Sequence, residues 1–214
     1  MVSVSFGSLL DTAQATVSDS GLNERYNGTK QLSQMGVSIP PKVRALEMVV
    51  NWPRLVVDTM AEVLTVDGFE AADIPDDTIR GVWRVWQQTN MKSRSHLAHV
   101  EAMTQGIAYA LVSLTDSGMI TTGVLPKDGI AVSYGLDGAV SEAVIVYNMR
   151  TEQGSDVKRA AYYVPDRIEV YQETYGAWTK ISSQRGCGLV PLIPIVNQTR
   201  LSDRQGRSDM ELVI

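Results

Sequence analysis

Residues 106–135 read GIAYALVSLTDSGMITTGVLPKDGIAVSYG, and here the texture of the chain changes. Upstream, apolar residues recur every three or four positions, as on a helix face. From Ile107 onward they come in short runs rich in Val, Ile and Tyr, separated by Asp116-Ser117-Gly118 and Lys127-Asp128-Gly129. Such runs bounded by turn residues are the signature of antiparallel strands. The pattern continues through EAVIVYNM, RAAYYV, IEVYQE and AWTKI, with turns at Asp137-Gly138, Pro165-Asp166 and Tyr175-Gly176. A last apolar piece, LVPLIPIVNQ, carries prolines that suit an edge strand or a bulge. Helices first and a β-meander after predict an α+β fold.

Working back from Gly106, residues from about Ser93 to Ile107 form a helix that should turn Leu97, Val100, Met103 and Ile107 inward. Ala98, Ala102 and Gly106, spaced by four, give a smooth stripe where another backbone can approach. PDDTIRGVWRVWQQTN (75–90) is amphipathic, with Asp76 or Asp77 expected to cap it and favour its positive end, and Ile79, Val82, Trp83 and Trp86 on one face. Earlier still, Val43, Leu46, Val49 and Val50 mark one helical face, and Leu55, Val56, Met60, Val63 and Leu64 another. Pro53 lies between, so a break or kink is expected there, with Asn51 as a cap for the second piece. Residues 1–40 are rich in Ser, Thr and Gly, with weakly helical stretches around 8–17 and 22–34, and Pro40-Pro41 closes them. At the far end, Ser208-x-x-Glu211 has the spacing of a capping box. Its first helical turn is expected to be frayed, because so few residues follow.

The chain has 214 residues, 44% of them apolar and 20% charged, which is globular composition. Its net charge of −5 disfavours bulk electrostatic adhesion to nucleic acid. With Cys187 as the only cysteine, no intrachain disulfide can form and a reducing compartment is the expected setting. The opening MVSVSFGSLL lacks the basic region of a secretory signal, and no apolar run is long enough for a membrane span.

Chemistry-bearing constellations are sparse. His96 and His99, with Glu101 nearby, could begin a metal site, but HxxH lacks the metalloprotease spacing and no third ligand is fixed. A small metal-dependent enzyme using His96 and His99 is the weakest functional reading. Asp58 and Glu62 lie one turn apart, on a face otherwise polar. Gly118-x4-Gly123 resembles the start of a phosphate loop, but Val124 and Leu125 stand where Lys and Ser or Thr are needed. Trp83, Trp86, Tyr162, Tyr163 and Tyr171 sit at core periodicity, and Cys187 has no His partner in the pattern. No catalytic, cofactor or metal residue is assigned. Arg200, Arg204 and Arg207, interleaved with Asp203 and Asp209, read as a salt-bridged surface or a subunit contact.

The order of several short motifs is specific. YNGTKQLSQMGVSIPPKVRALEMVVNWPRLVVDTMAEVLTVDGF (Tyr26 to Phe69) resembles the opening of portal proteins of tailed phages, of the kind found in siphophages of actinobacteria. The features shared are Tyr26 with Gly28, Pro40-Pro41, Asn51-Trp52-Pro53-Arg54, Val57-Asp58 and Val66-Asp67-Gly68-Phe69. LAHVEAMTQGIAYALVSL (97–114), YVPDRIEVYQ (163–172) and GLVPLIPIVNQTRLSDRQGRSDM (188–210) are similar in the same order.

The resemblance implies a structural protein and not an enzyme, needing no cofactor. Portal proteins form a homo-oligomeric ring of twelve copies at one capsid vertex, in the virion and, during assembly, in the bacterial host cytoplasm. Double-stranded DNA passes through the channel without sequence readout. Partners implied are the terminase large subunit, the head–tail adaptor, and capsid and scaffold proteins, with no membrane. The family continues past the GRSD element into a stem helix, clip and crown. This sequence is therefore expected to be the N-terminal part, truncated at the start of the stem helix and unable to form a working channel alone.

Four segments follow: a weakly helical 1–40, a helical region 41–107, a β-rich wing-like domain 108–198, and a linker with the start of the stem helix at 199–214. Arg200, Arg204 and Arg207 would then lie at a subunit contact near the wing–stem junction. The competing reading is a stand-alone protein-interaction module derived from a portal wing, such as a capsid-assembly regulator.

Overall fold

The computed structural model describes residues 6–28, 52–115, 118–151, 154–198, 200 and 204–212. Among the described residues five helices come first: α1 (Phe6–Ala15), α2 (Ser20–Asn27), α3 (Trp52–Val63), α4 (Asp76–Gln88) and α5 (Met91–Gln105). Eight strands follow: β1 (Ile107–Leu114), β2 (Ile120–Leu125), β3 (Ile130–Tyr134), β4 (Val140–Arg150), β5 (Asp156–Val164), β6 (Arg167–Thr174), β7 (Ala177–Arg185) and β8 (Leu192–Val196). A 3-10 turn, Asp209–Leu212, comes last. The fold is α+β, helices before strands, as the periodicity predicts. The meander proper is the five-stranded sheet β3-β4-β5-β6-β7, while β2-β1-β8 form a second sheet. β8, which contains Pro194, lies at an edge, where a missing N–H breaks no ladder.

The chain packs as two units. One takes Met1–Ser18 and Tyr109–Pro194; the other takes Asp19–Ala108 and Ile195–Ile214.

In the strand-rich unit, Phe6, Leu9, Leu10 and Ala13 fall at i, i+3, i+4 and i+7, so α1 has one apolar face. That face packs on Ala131, Val144, Ala160, Tyr162 and Val164 of the five-stranded sheet. Phe6 stacks on Tyr171 at 4.1 Å between ring centroids and tilts against Tyr162 at 5.3 Å. Both tyrosine hydroxyls are held: Tyr162 donates to Glu142 and Tyr171 to Glu169, each at 2.8 Å. After the helix, Gly129 N–H donates to the Thr16 carbonyl, and Ser18 donates from its N–H and hydroxyl to the Asp128 carboxylate. Gly129 is at φ 68°, and a Cβ there would run into the Val146 carbonyl oxygen, so the turn into β3 requires glycine.

Glu169 is 8% exposed, an uncommon place for a carboxylate. It is tolerated because its donors surround it: the Tyr171 hydroxyl, Lys180 Nζ at 3.3 Å and Arg167 Nε at 3.3 Å. The Tyr171 hydrogen bond, with help from Lys180 and Arg167, outweighs burial and holds the carboxyl below the usual glutamate range.

In the helical unit, the Asp19 carboxylate accepts from Gly21 N–H at 2.8 Å and starts α2. Gly28, at φ 68°, ends it in a left-handed C-cap. The helix thus stops at Asn27, short of the expected 34, because this glycine offers a cap at no steric cost. Pro53 is in the first turn of α3, where a missing N–H costs nothing. Val43, Leu46, Val49, Val50 and the cap proposed for Asn51 lie outside the described residues.

The buried face of α3 is Val57 and Ala61, both 0% exposed. Leu55, Met60, Val63 and Leu64, expected inward, are exposed, and Val56 is half-buried. Leu97 on α5 is likewise exposed, and Ala98 and Ala102 take the inward positions. On the buried sides small residues stand beside larger ones, Ala61 beside Val57 on α3 and Ala98 and Ala102 beside Met103 on α5.

Two expected outcomes concern the strand-rich unit. Phe6→Ala should cost about 2 kcal/mol in urea unfolding, less than a fully buried Phe→Ala because the ring is half-buried. A carboxyl lowered in the folded state stabilises above its unfolded pKa of about 4.3 and loses that contribution as pH falls through the folded value. Glu169→Gln should therefore be destabilised at pH 7 and show a flatter loss of stability below about pH 4.3 than the parent, in melting curves across pH.

Candidate functional site

Three residues of the motifs that carry the resemblance, Tyr26, Arg54 and Asp58, meet in the helical unit. Tyr26, from α2, donates its hydroxyl to Asp58 of α3 at 2.7 Å. Arg54, one turn earlier on α3, donates from Nε to the other oxygen of Asp58 at 3.0 Å. Its guanidinium also lies over the Tyr26 ring at 5.6 Å. The Tyr26 hydroxyl is shifted upward, first by burial and then by its bond to Asp58. Asp58 is thus committed to Tyr26 and Arg54, and the Asp58–Glu62 pair is no acid–base couple.

Beside this cluster, Leu22, Val57, Ala61, Met103 and Met210 form one core, with Tyr26 and Val100 packed against it. Gln105, 5% exposed, accepts from Asp19 N–H at 2.8 Å and donates to the Asp19 carbonyl and to Asn23 Oδ1. It ties the start of α2 to the end of α5.

At Gly106, the C-cap of α5 and the last residue of the expected smooth stripe, another backbone comes close. Gly106, at φ 90°, faces Gly206 so closely that a Cβ on Gly106 would stand 3.0 Å from the Gly206 carbonyl carbon. A Cβ on Gly206 would overlap the Gly106 carbonyl oxygen. Asn197 N–H donates to the Gly106 carbonyl at 2.9 Å, and Asn197 and Arg207 exchange two further bonds. The contact delivers Ser208 and Met210 to the core. The Ser208 hydroxyl donates to the Met103 carbonyl at 3.3 Å and accepts from Met210 N–H at 3.2 Å. Ser208 therefore caps Met210 in the 3-10 turn Asp209–Leu212. The half of the box assigned to Glu211 lies outside the described side chains.

Arg200, Arg204 and Arg207 are all exposed, and the backbone of Arg207 is part of the Asn197 exchange. His96 and His99 are half-buried on α5, and burial, then the neighbouring His96, pushes His99 down. Among the described residues no group of His, Cys, Asp or Glu is placed to hold a metal ion. Gly118 and Gly123 belong to the β1–β2 hairpin, which has no helix N-terminus to receive a phosphate. Cys187 is exposed, with Sγ at 3.4 Å from the Leu189 carbonyl. Tyr162 is a core residue, but Trp83 and Trp86 are only half-buried, stacked at 6.5 Å with Phe69 edge-on to both. α4 buries none of its residues fully, and neither Asp76 nor Asp77 caps it: Pro75 holds the N-cap position without a side-chain bond, and both aspartates fall in the first turn, where they face the positive helix end. The Tyr26–Asp58–Arg54 cluster and the glycine contact escape a search for chemical motifs, because their signals are single residues far apart in sequence.

Gly206→Ala should cost about 3 kcal/mol or more in unfolding experiments, since both partners at the overlap are backbone. Gly68→Ala, where nothing lies within 4 Å, should leave stability within about 0.5 kcal/mol of the parent.

Comparison with known proteins agrees with this arrangement. The family described as phage portal protein, SPP1 Gp6-like, matches residues 19–214. The portal protein of Mycobacterium phage D29 is 27% identical over 194 residues, covering 86% of this chain and 40% of the relative. The portal protein of Mycobacterium phage L5 is 27% identical over 196 residues, with the same coverage. The chain thus spans about 40% of the length of these curated relatives. With residues 19–214 matched, and with Tyr26, Arg54, Asp58 and the glycines brought into one packed unit, the chain belongs to the SPP1 Gp6-like family of phage portal proteins.

Proposed function

We propose that this chain serves as a structural subunit of a phage portal vertex, acting by assembly with further copies of itself and not by catalysis. The observation that carries the reading is the family match over residues 19–214. The geometry is consistent with it. The polar groups that look most like chemistry in the sequence are engaged in holding helices together, as Asp58 is by Tyr26 and Arg54.

On this reading the copies form a ring of twelve at a capsid vertex of the virion, built in the cytoplasm of a bacterial host. DNA passes through the ring; the terminase large subunit, head–tail adaptor, capsid and scaffold proteins dock on it. A net charge of −5 suits a passage through which DNA slides, because few Lys and Arg are available to displace counterions and hold it. The strand-rich stretch 108–198 corresponds to the outward wing. Arg200, Arg204 and Arg207 are exposed, and they serve as a contact between copies.

Ring assembly of the full-length protein, measured by native mass spectrometry, tests both parts. The parent protein should give a ring, and Arg204→Glu should reduce the assembled fraction severalfold with an unchanged melting temperature. Absence of a ring from the parent overturns the portal reading. Normal assembly of the variant overturns the role of the arginines alone.

A further inference from the structure

In the stretch Trp52-Pro53-Arg54, two residues serve the fold of the helical unit. Pro53 lies in the first turn of α3, and Arg54 binds Asp58. Trp52, the first residue of α3, is 62% exposed. Tryptophan is highly buried on average, and where it faces outward it is enriched at interfaces. Leu55, Met60 and Val63 are exposed within the same broad stripe of α3, and Val56 among them is half-buried. Together these side chains present on the order of 500 Å² of apolar surface, the upper end of what a monomer leaves in one patch.

The same unit carries a second surface of this kind. Ile79, Val82, Trp83 and Trp86 share one face of α4, and Phe69 stands edge-on to both tryptophans. Beside the start of α4 lies a shallow cleft of about 290 Å³, lined by Phe69, Glu70, Ala71, Asp76, Ile79 and Arg80. It is smaller than the pockets that hold cofactors, and it has room for one large side chain. Its walls are mixed. Phe69, Ala71 and Ile79 are apolar, and Arg80, held by Asp77 at 2.7 Å, brings a guanidinium. Glu70 and Asp76 are exposed carboxylates that join no ion pair among the described residues. An indole asks for these three things: apolar contact for its body, a cation over its ring and an acceptor for its N–H.

We infer that Trp52 of one copy seats in this cleft on a second copy of the chain, with the exposed stripe of α3 laid along the aromatic face of α4. This rests on the reading of the chain as a ring subunit, and it names the surfaces that join the copies. Within one copy the two do not meet: Trp52 does not line the cleft, and α3 and α4 each pack on α5. A self-complementary contact would close as a pair, whereas a ring needs two different surfaces, one given and one received. The unit carries one of each, a protruding indole and a cleft of matching chemistry. The indole N–H is donated to Glu70 or Asp76, and Arg80 lies against the ring. The two faces together cover on the order of 1,000 Å², the size at which an interface becomes specific. A tryptophan anchored in a cleft is the usual centre of such an interface.

Assembly of the full-length protein decides it, read by native mass spectrometry and by hydroxyl-radical labelling of Trp52. Labelling of Trp52 should be strong in the unassembled protein and fall severalfold in the ring. Trp52→Ala should lower the assembled fraction about tenfold or more, as loss of a tryptophan anchor does. Ala71→Trp, which fills the cleft from its own wall, should lower it comparably. The melting temperatures of both unassembled variants should match the parent, because both positions are exposed. A ring in which Trp52 labels as in the unassembled protein overturns the inference and leaves the portal reading standing. So does normal assembly of Trp52→Ala. Protection of Trp52 together with normal assembly of Ala71→Trp overturns it in favour of another seat for the indole. Weak labelling already in the unassembled protein, or a lowered melting temperature of Trp52→Ala, puts the indole in the fold of its own copy and overturns it too. Failure of the parent to assemble overturns the portal reading, and this inference with it.

Discussion

The helical unit depends on the absence of two side chains. Gly106 and Gly206 bring two backbone segments, a hundred residues apart in sequence, so close that a Cβ on Gly206 would overlap the Gly106 carbonyl and one on Gly106 would crowd the Gly206 carbonyl. Once they meet, the geometry downstream has little freedom. Asn197 and Arg207 close a small ring of hydrogen bonds around the contact. Ser208 then reaches the Met103 carbonyl near the end of α5, and Met210 enters the core between α3 and α5 fully buried. A methyl group at either glycine would push this segment outward and leave Met210 without its socket. The loss of a buried methionine of this kind is typically worth 2–5 kcal/mol, so the glycine contact controls much more than its own small area.

Polar groups in the same unit follow the same logic. Gln105 is almost wholly buried, which is tolerable only because Asp19 and Asn23 meet both ends of its amide. Asp58 sits between a phenol and a guanidinium, and the guanidinium rests on the ring of that phenol. Each arrangement joins elements distant in sequence: α2 to α5 in the first case, α2 to α3 in the second. They specify the packing more than they stabilise it. The Arg54–Asp58 pair is partly exposed and, taken alone, a surface ion pair of this sort contributes at most about 1 kcal/mol.

Most of the strands were legible, because alternation and turn chemistry are local. The run from Ile107 to Leu114 is a strand, including Ile107 itself, which the helical periodicity also claimed, and Tyr175 and Gly176 occupy positive φ in the β6–β7 turn that their sequence announces. The smooth stripe of α5 and the edge position of β8 were legible for the same reason, since a missing side chain and a missing N–H each impose a local constraint. Pairing at long range was not. Nothing in Phe6–Ala15 says that α1 will pack with strands a hundred and more residues later and not with the helices that follow it. The separation of β1, β2 and β8 from the meander is equally silent, because alternation shows which residues share a face and not which strand lies alongside. α3 misled in a different way. It has a bulky stripe and a small stripe on different sides, and periodicity favours the bulkier one, yet tight helix packing buried Val57 and Ala61. As to the site, Tyr26, Arg54 and Asp58 could be picked out only through the order of family motifs. Their contact spans 32 residues and has no spacing rule of its own.

The fate of the chemical-looking motifs shows why a chain of this kind is better identified by packing landmarks than by reactive groups. A catalytic carboxylate, a metal site or a phosphate loop must leave a ligand-facing valence open. Here Asp58 is occupied by two donors, Gly118 and Gly123 shape an antiparallel hairpin, and His96 and His99 acquire no third ligand among the described residues. The motifs that resemble the family contain a C-cap glycine, a first-turn proline, a glycine at a backbone crossing and a serine that caps a tight turn. All four constrain backbone conformation. A protein selected for a reaction must keep the geometry of a few side-chain atoms. In this chain the constraint falls on the path of the backbone, and glycine, proline and caps carry it.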